Sequence, residues 1–282
     1  MNTSATIKLF LPFGDAKKVR TAELSNWSGK AIAAPRSDLD HLLAREELSK
    51  PGVYILLGED PENGNLMAYI GEAESVVDRI KQHKSKDFWN SAIAFVSKDE
   101  NLTKSHIRYL EGRLIQIANS IGRYVISNAQ SSGARLPESD LNDMEVFLER
   151  IAQLLPVLGS ELLTPVVSQA QRVDQGMLTC KMKGAVATGT RTPSGFVVLK
   201  GSTAVMQIRE SAKTSGQWVI SLRNQLVQNG SLVEENGFFA FTKDVEFASP
   251  SAAAAVIHGG NAAGPIAWKD ATGRTLKEIE GS

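Results

Sequence analysis

The chain has 282 residues, of which 42% are hydrophobic and 22% charged, and this ordinary globular composition excludes a mainly disordered or fibrous protein. Lysine and arginine total 31, as do aspartate and glutamate, so bulk charge gives no sign of nucleic-acid binding. The single cysteine, Cys180, excludes an intramolecular disulfide and a cysteine-based zinc finger, and it fits a reducing compartment.

The N-terminal sequence, MNTSATIKLFLPFGDAKKVR, places a short apolar run before the basic residues, which is the reverse of a signal peptide. No apolar stretch reaches the ~18 residues that a membrane span needs. We therefore expect a soluble, cytoplasmic protein with no membrane partner.

Changes in residue composition divide the chain into four segments. Residues 1–46 mix short strand-like runs and are predicted to form an N-terminal lead, whereas residues 47–130 alternate strand and helix signals. Residues 131–179 begin as a loop and continue as an amphipathic helix at 139–158. They are predicted to form a helical linker to a smaller, mixed α+β C-terminal domain at 180–282.

Segment 47–130 begins with two strands and the loop between them. The apolar run GVYILL at 52–57 predicts a buried strand, the turn-rich loop at 59–65 follows, and LMAYIG at 66–71 predicts the returning strand. If the loop is symmetric, Tyr54 pairs with Tyr69, and both phenols project from one face. Either tyrosine alone is explained by the general preference of tyrosine for strands.

Two further elements of this segment carry polar residues. Ser75 begins a predicted helix on which Arg79 and His83, four residues apart, share a face. A guanidinium and an imidazole beside a sheet would suit a phosphate group, and a solvated helix surface is the other interpretation. A third strand is predicted at 89–96.

Glu111 is the most informative residue of the amphipathic helix predicted at 103–118. On a helical wheel it falls inside the apolar stripe of Ile107, Leu110 and Leu114. A carboxylate there must be paired, hydrogen-bonded or metal-bound, since its burial alone is costly. Metal binding and a structural ion pair both remain open at this point.

Together these residues resemble the GIY-YIG nucleases. The resemblance lies in GVY at 52–54, AYIG at 68–71, Arg79, His83, Glu111 and Asn128. Val53 stands where the family name has isoleucine, whereas the second triplet, Tyr69–Gly71, is intact. The resemblance implies an α/β fold of the α+β kind, with a small three-stranded antiparallel sheet flanked by helices.

The activity that the resemblance implies is metal-dependent endonuclease cleavage of phosphodiester bonds in DNA. Glu111 then corresponds to the ligand of a divalent metal, and its hard oxygen suits Mg²⁺ or Mn²⁺. Tyr54 corresponds to the phenol that helps to activate water, and the groups that orient water and stabilise phosphate are Tyr69, Arg79 and His83. Tyr54 and His83 both remain candidates for the proton acceptor.

Two further positions carry implied substrate-binding roles. Gly71 corresponds to a residue that permits close backbone approach, and Asn128 to one that positions the substrate or the fold. A double-strand cut by one site per chain requires two copies or two successive nicks, so a homodimer is compatible with this activity.

The C-terminal segment resembles a domain of unknown function that follows GIY-YIG domains in bacterial proteins. The resemblance lies in FVVLKGSTA at 196–204, FTKDVEFASPSAAAAVIHG at 241–259 and GPIAWKD at 264–270. We expect a module that binds nucleic acid or a partner, with candidate contacts at Lys200, Lys243, Lys269 and Trp268. A solvated lysine surface and a core tryptophan are the other interpretation.

Two other functions compete with the endonuclease. In the first, the chain keeps the nuclease fold as a recognition or partner module and binds nucleic acid with little or no activity. In the second, the chain is a scaffold whose partner carries the chemistry, with the helix at 139–158 as its docking element. That helix is equally explained by simple packing.

Overall fold

The computed structural model describes residues 4–61, 64–99, 101–128, 133–165, 176–193, 195–210, 212 and 216–281. The chain divides into two units, Met1–Thr164 and Pro165–Ser282, each with its own sheets and helices. Among the described residues, no helix combines the length and the apolar character that crossing a lipid bilayer requires.

A sheet of seven strands forms the centre of the first unit. The strands are β1 (Ile7–Phe10), β2 (Arg20–Leu24), β3 (Gly29–Pro35), β4 (Gly52–Glu59), β5 (Leu66–Ala73), β6 (Trp89–Ser97) and β7 (Val125–Ile126). Their order across the sheet is β1-β2-β3-β6-β4-β5-β7. Neighbouring strands are antiparallel except β5 and β7, which are parallel.

This sheet is larger than the predicted three-stranded one. The three expected antiparallel strands are β6, β4 and β5. However, β3 pairs with β6 from Gly29↔Ser97 to Pro35↔Ser91, so residues 1–46 extend the sheet rather than lead into it. The sequence of β3, GKAIAAP, does not look like a strand because it is rich in alanine. It is also buried along most of its length, so it lacks the alternation of apolar and polar residues that marks a half-buried strand.

Helices cover both faces of this sheet. They are α1 (Leu39–Leu43), α2 (Val76–Gln82), α3 (Lys104–Ile121) and α4 (Glu138–Val157). Side chains alternate along β4, so Val53 and Ile55 pack with α3 and α4, whereas Tyr54 and Leu56 pack on the side of α1 and α2. Because both faces are buried, β4 is an uninterrupted apolar run.

The helix expected at 139–158 is α4, and it lies in the core of the first unit. Its buried side chains are Met144, Phe147, Leu148, Ile151, Leu154 and Leu155. Polar groups also join it to α3, since the Tyr109 hydroxyl and Arg113 Nε donate to Glu145 Oε1 over 2.5 and 2.7 Å. Packing within the unit therefore explains the apolar stripe, and α4 does not belong to a separate linker.

The second unit is mixed α+β, as predicted. Its strands are β8 (Leu178–Met182), β9 (Ala185–Thr192), β10 (Gly195–Val198), β11 (Thr203–Val205), β12 (Leu232–Glu235), β13 (Phe238–Phe241) and β14 (Val245–Phe247). They form one sheet of order β14-β10-β9-β8 and another of order β11-β13-β12. Its helices are α5 (Gln217–Gln228), α6 (Pro250–His258), α7 (Gly264–Ala267) and α8 (Leu276–Glu280).

Local signals explain the ends of α6. The Ser249 hydroxyl accepts from the Ala252 amide, Pro250 occupies the first turn, and Gly259 ends the helix in the left-handed region with φ 67°. The alanines of α6 lie in the same core as Trp268, whose Nε1 donates to the Pro250 carbonyl over 3.0 Å. Trp268 is fully buried, so its interpretation as a core residue is correct and that as a surface contact is wrong.

Candidate active site

Four of the predicted site residues meet on one face of the sheet in the first unit. Tyr54 comes from β4, Tyr69 from β5, and Arg79 and His83 from α2 and the turn after it. The ring centroids of Tyr54 and Tyr69 lie 6.0 Å apart, and those of Tyr69 and His83 lie 4.6 Å apart. The four side chains therefore form one cluster, called the Tyr–His cluster below.

The two tyrosines are not direct cross-strand partners. Tyr54 lies opposite Gly71 and Tyr69 lies opposite Leu56, so the expected pairing of the two tyrosines is wrong. The error comes from the end of the first strand: the prediction ended it at residue 57, whereas β4 continues to Glu59, which pairs with Leu66. The shift is two residues, and the phenols keep the same face because side chains alternate with a period of two.

Gly71 is required by the position of Tyr54. A Cβ added at Gly71 would lie 2.8 Å from Tyr54 Cε1, and nearer still to its Cζ and hydroxyl oxygen. The close approach to the Gly71 backbone is therefore made by the side chain of Tyr54.

A buried hydrogen bond joins the two central groups of the cluster. The Tyr54 hydroxyl and His83 Nε2 lie 2.8 Å apart, and both residues are buried. The Trp89 indole Nε1 donates to the His83 carbonyl over 3.0 Å, which fixes the turn that carries the imidazole. Buried polar groups need such partners, and here each of the two groups is the partner of the other.

Burial decides the charge states of this pair. It raises the pKa of Tyr54, and the neighbouring Tyr69 adds to that effect, while Arg79 acts in the opposite direction. Burial also lowers the pKa of His83 to about 4, with further lowering by Lys86 and Arg79. At neutral pH both groups are uncharged. The positive charge of Arg79 lowers the pKa of Tyr54, but burial outweighs it.

Two cations border the pair. The exposed Arg79 guanidinium forms hydrogen bonds with the phenols of Tyr54 and Tyr69, and its Nη1 donates to Gln82 Oε1 over 2.9 Å. Lys86 was not predicted, and its Nζ lies 4.0 Å from the centre of the Tyr69 ring. Only its position three residues after His83 could have drawn attention to it in the sequence.

Glu111 lies on the opposite side of the sheet from these residues. Its neighbours Ile107, Leu110 and Leu114 are buried against β4 and β5, as the helical wheel predicts, and Glu111 itself is half-buried. Lys104 lies two turns earlier on the same flank of α3. Its Nζ is 3.0 Å from Oε2 of Glu74, the residue that follows β5. Glu111 lies two turns farther along this flank of α3.

Asn128 holds the edge of β5 beside Gly71. Its Oδ1 accepts from the Ile70 amide over 3.1 Å, and its Nδ2 donates to the Ile70 carbonyl. The side-chain amide thus continues the backbone pairing of β7, which ends two residues earlier. The structure places Asn128 as a residue that positions the strand.

Arg36 is a second residue that the sequence did not indicate. Its Nη1 donates to the carbonyls of Lys86 and Trp89 over 2.5 and 3.2 Å, and its Nη2 donates to that of Lys84 over 2.7 Å. The guanidinium also stacks 4.5 Å from the Trp89 ring centre. Arg36 follows β3, whose pairing could not be recognised, so no sequence signal connected it with His83.

The second unit contains a separate polar cluster around the buried Cys180, with the half-buried His258 and Arg209. Cys180 Sγ lies 3.2 Å from His258 Nε2, and Arg209 Nη2 lies 3.3 Å from the other ring nitrogen of His258. Burial raises the pKa of the Cys180 thiol to about 12. The thiol is therefore protonated at neutral pH and is not a nucleophile.

Comparison with known proteins identifies only the C-terminal part of the chain. Residues 178–280 match the family described as a domain of unknown function, DUF4357, which agrees with the predicted C-terminal resemblance. The match does not extend into the first unit. No curated protein and no solved structure matches the chain.

Proposed function

We propose that the first unit is a metal-dependent endonuclease of the GIY-YIG type, which hydrolyses phosphodiester bonds in DNA. The observation that carries the proposal is the buried hydrogen bond of 2.8 Å between Tyr54 and His83, with Tyr69 and Arg79 beside it. Residues far apart in the sequence contribute to this cluster, and it combines a proton acceptor with a cation, as phosphodiester hydrolysis requires.

In the proposed reaction the Tyr54–His83 pair receives a proton from the attacking water. His83 is neutral at physiological pH and can accept the proton, but its pKa, lowered to about 4, makes it a weak base. The water oxygen forms a bond to phosphorus, and the bond between phosphorus and the leaving oxygen breaks. Arg79 stabilises the charge that develops on the phosphoryl oxygens.

Glu111 is the proposed ligand of Mg²⁺ or Mn²⁺ on the family resemblance alone, because α3 packs on the face of the sheet opposite the Tyr–His cluster. Among the described residues no group of three or more histidine, cysteine, aspartate or glutamate side chains converges on one point. A single carboxylate fits Mg²⁺, which proteins commonly hold with one or two carboxylates, water and substrate phosphates. When bound, the ion supplies Lewis-acid polarisation of the phosphate.

The second unit is proposed to anchor or select the DNA. Two copies of the chain would supply two sites for a double-strand cut, so we propose a homodimer as the form that makes such cuts. The zero net charge of the chain means that local basic residues must provide the contacts with phosphate.

A second candidate function is nucleic-acid binding with little or no cleavage. The observation that favours it is the raised pKa of Tyr54, since burial opposes formation of a phenolate.

One experiment separates the two functions. The purified chain is incubated with supercoiled plasmid and with short branched DNA, in Mg²⁺, in Mn²⁺ and in chelator, beside Glu111→Gln. Glu149→Gln is the matched control, because Glu149 is an exposed glutamate of α4.

Metal-dependent cleavage that is lost in Glu111→Gln and kept in Glu149→Gln supports the endonuclease and the role of Glu111. Cleavage that persists in Glu111→Gln contradicts that role. Folded wild-type protein that binds DNA in a salt-dependent manner but cuts neither substrate supports the second candidate.

A further inference from the structure

Lys86 brings a second positive charge to the Tyr–His cluster. Its Nζ lies 4.0 Å from the centre of the Tyr69 ring, and the side chain is half-buried. Burial lowers the pKa of Lys86, and the charge of Arg79 lowers it further; burial likewise lowers the pKa of His83, with further lowering by both cations. Lys86 lies over the ring of Tyr69 and Arg79 bonds the hydroxyl of the same residue, so the two cations flank one phenol and repel each other.

No carboxylate balances these two charges among the described residues. The contacts of Arg79 are with the two phenols and Gln82, and that of Lys86 is with the Tyr69 ring. By contrast, the neighbouring Lys81 and Lys84 lie 3.5 and 3.9 Å from the carboxylates of Asp78 and Asp40. Two like charges held together without a counter-ion favour the binding of an anion between them.

Arg36 holds the segment that carries Lys86. Its guanidinium donates to the backbone carbonyls of Lys84, Lys86 and Trp89, and it stacks on the Trp89 ring. Three carbonyls that converge on one planar donor group fix the course of the backbone. The same segment includes His83, whose carbonyl accepts from Trp89 Nε1.

We propose that Lys86 binds a backbone phosphate of the substrate at the Tyr–His cluster, and that Arg36 is the positioning residue that holds Lys86 there. This inference rests on the proposed function, because it takes the anion to be a phosphodiester of DNA. It adds a cation that the predicted site lacked.

The first test measures binding of a fluorescein-labelled 20-base-pair DNA duplex by anisotropy, in chelator and over a range of NaCl concentrations. Lys86→Met is compared with Lys18→Met, because Lys18 also lies over an aromatic ring, with Nζ 5.7 Å from the centre of Phe13. We expect Lys86→Met to weaken binding about tenfold and to reduce the salt slope by about one, and Lys18→Met to change neither. A Lys86→Met slope equal to that of the wild type overturns the proposal.

The second test asks whether Arg36 acts through Lys86. Arg36→Lys keeps the charge but loses the planar fork, and we expect it to weaken DNA binding. The double variant Arg36→Lys/Lys86→Met should bind no more weakly than Lys86→Met alone, since both changes remove the same contact. Additive losses in proteins with equal circular dichroism spectra overturn the role of Arg36.

A third measurement separates failure of this inference from failure of the proposed function. Inorganic phosphate is titrated into the full chain while the His83 ring signals are followed by NMR. A shift of those signals that disappears in Lys86→Met supports the anion site even if the chain neither binds nor cuts DNA. No shift in the wild type, together with unchanged DNA binding in Lys86→Met, overturns it.

Discussion

Tyr54 and Gly71 face each other across the β4–β5 pair, and the Tyr54 ring occupies the space that a side chain at position 71 would need. This relationship couples the two triplets on which the family resemblance depends. The tyrosine of the first reaches His83 only because the last residue of the second is glycine. The Tyr–His cluster therefore depends on the register between β4 and β5, and not on either triplet alone.

Gly71→Ala should displace the Tyr54 ring. The added methyl group would lie within 2.8 Å of Cε1, and overpacking of this kind costs about 1–3 kcal/mol. We expect the unfolding midpoint in urea to fall and cleavage activity to fall with it. An alanine variant with wild-type stability and wild-type activity would show that Tyr54 moves aside at no cost.

Tyr54→Phe should destabilise the fold more than Tyr69→Phe does. Removal of the Tyr54 hydroxyl leaves His83 Nε2 buried without its partner, which costs about 1–3 kcal/mol. Tyr69 is half-buried, so water can replace its lost contacts. Urea unfolding of both variants measures the difference, and equal losses would contradict the importance of the Tyr54–His83 bond.

Stability should fall between pH 6.5 and pH 4 because of His83. Its pKa is lowered from 6.5 to about 4 in the folded chain, so the unfolded chain binds the proton first as the pH falls. The stabilisation from His83 is thus fully present above about pH 6.5 and is lost toward pH 4, by up to about 3 kcal/mol.

His83→Gln removes this titration and tests the assignment. Its stability should depend less steeply on pH in that range than that of the wild type. His41→Gln is the matched control, because the His41 side chain is 52% exposed. If all three proteins show the same pH dependence of urea unfolding, His83 is not the residue responsible.

The sequence predicts local features of the site better than the register between its strands. The helical wheel placed Glu111 inside the apolar stripe of α3; the apolar side chains of that stripe are buried as predicted, whereas Glu111 itself is half-buried. The Tyr54–Tyr69 pairing depended on the geometry of the intervening loop, which no local pattern determines. Alternation of side chains in strands nevertheless kept both phenols on one face.

Lys86 and Arg36 could not be predicted for a different reason. Each acts through tertiary contacts between segments distant in the sequence, such as the bonds from Arg36 to the carbonyls of Lys84 and Lys86. Every residue has a backbone carbonyl, so the sequence does not show which carbonyls accept a side-chain hydrogen bond. The strand before Arg36 was also missed, because alanine-rich β3 shows neither alternation nor β-branched residues in number.

Glu145→Ala should weaken the α3–α4 contact and leave the proposed cleavage activity unchanged. Glu145 accepts from Tyr109 and Arg113, but Arg113 and Glu145 are each about one-third exposed, so we expect a loss of about 1 kcal/mol. Urea unfolding measures the loss, and the plasmid assay measures activity at a temperature where both proteins are folded. A variant that is stable yet inactive would place Glu145 in the active site.

Cys180 should resist thiol reagents until the second unit unfolds. It is fully buried, and burial raises its pKa to about 12, so the folded chain offers neither access nor thiolate. Because Cys180 is the only cysteine, the release of thionitrobenzoate from Ellman's reagent reports on this residue alone. We expect slow release in buffer and rapid release in denaturing urea, with the rate in buffer governed by opening of the second unit. Rapid release in buffer at neutral pH would mean that the Cys180–His258 contact holds an exposed thiolate instead of a buried thiol.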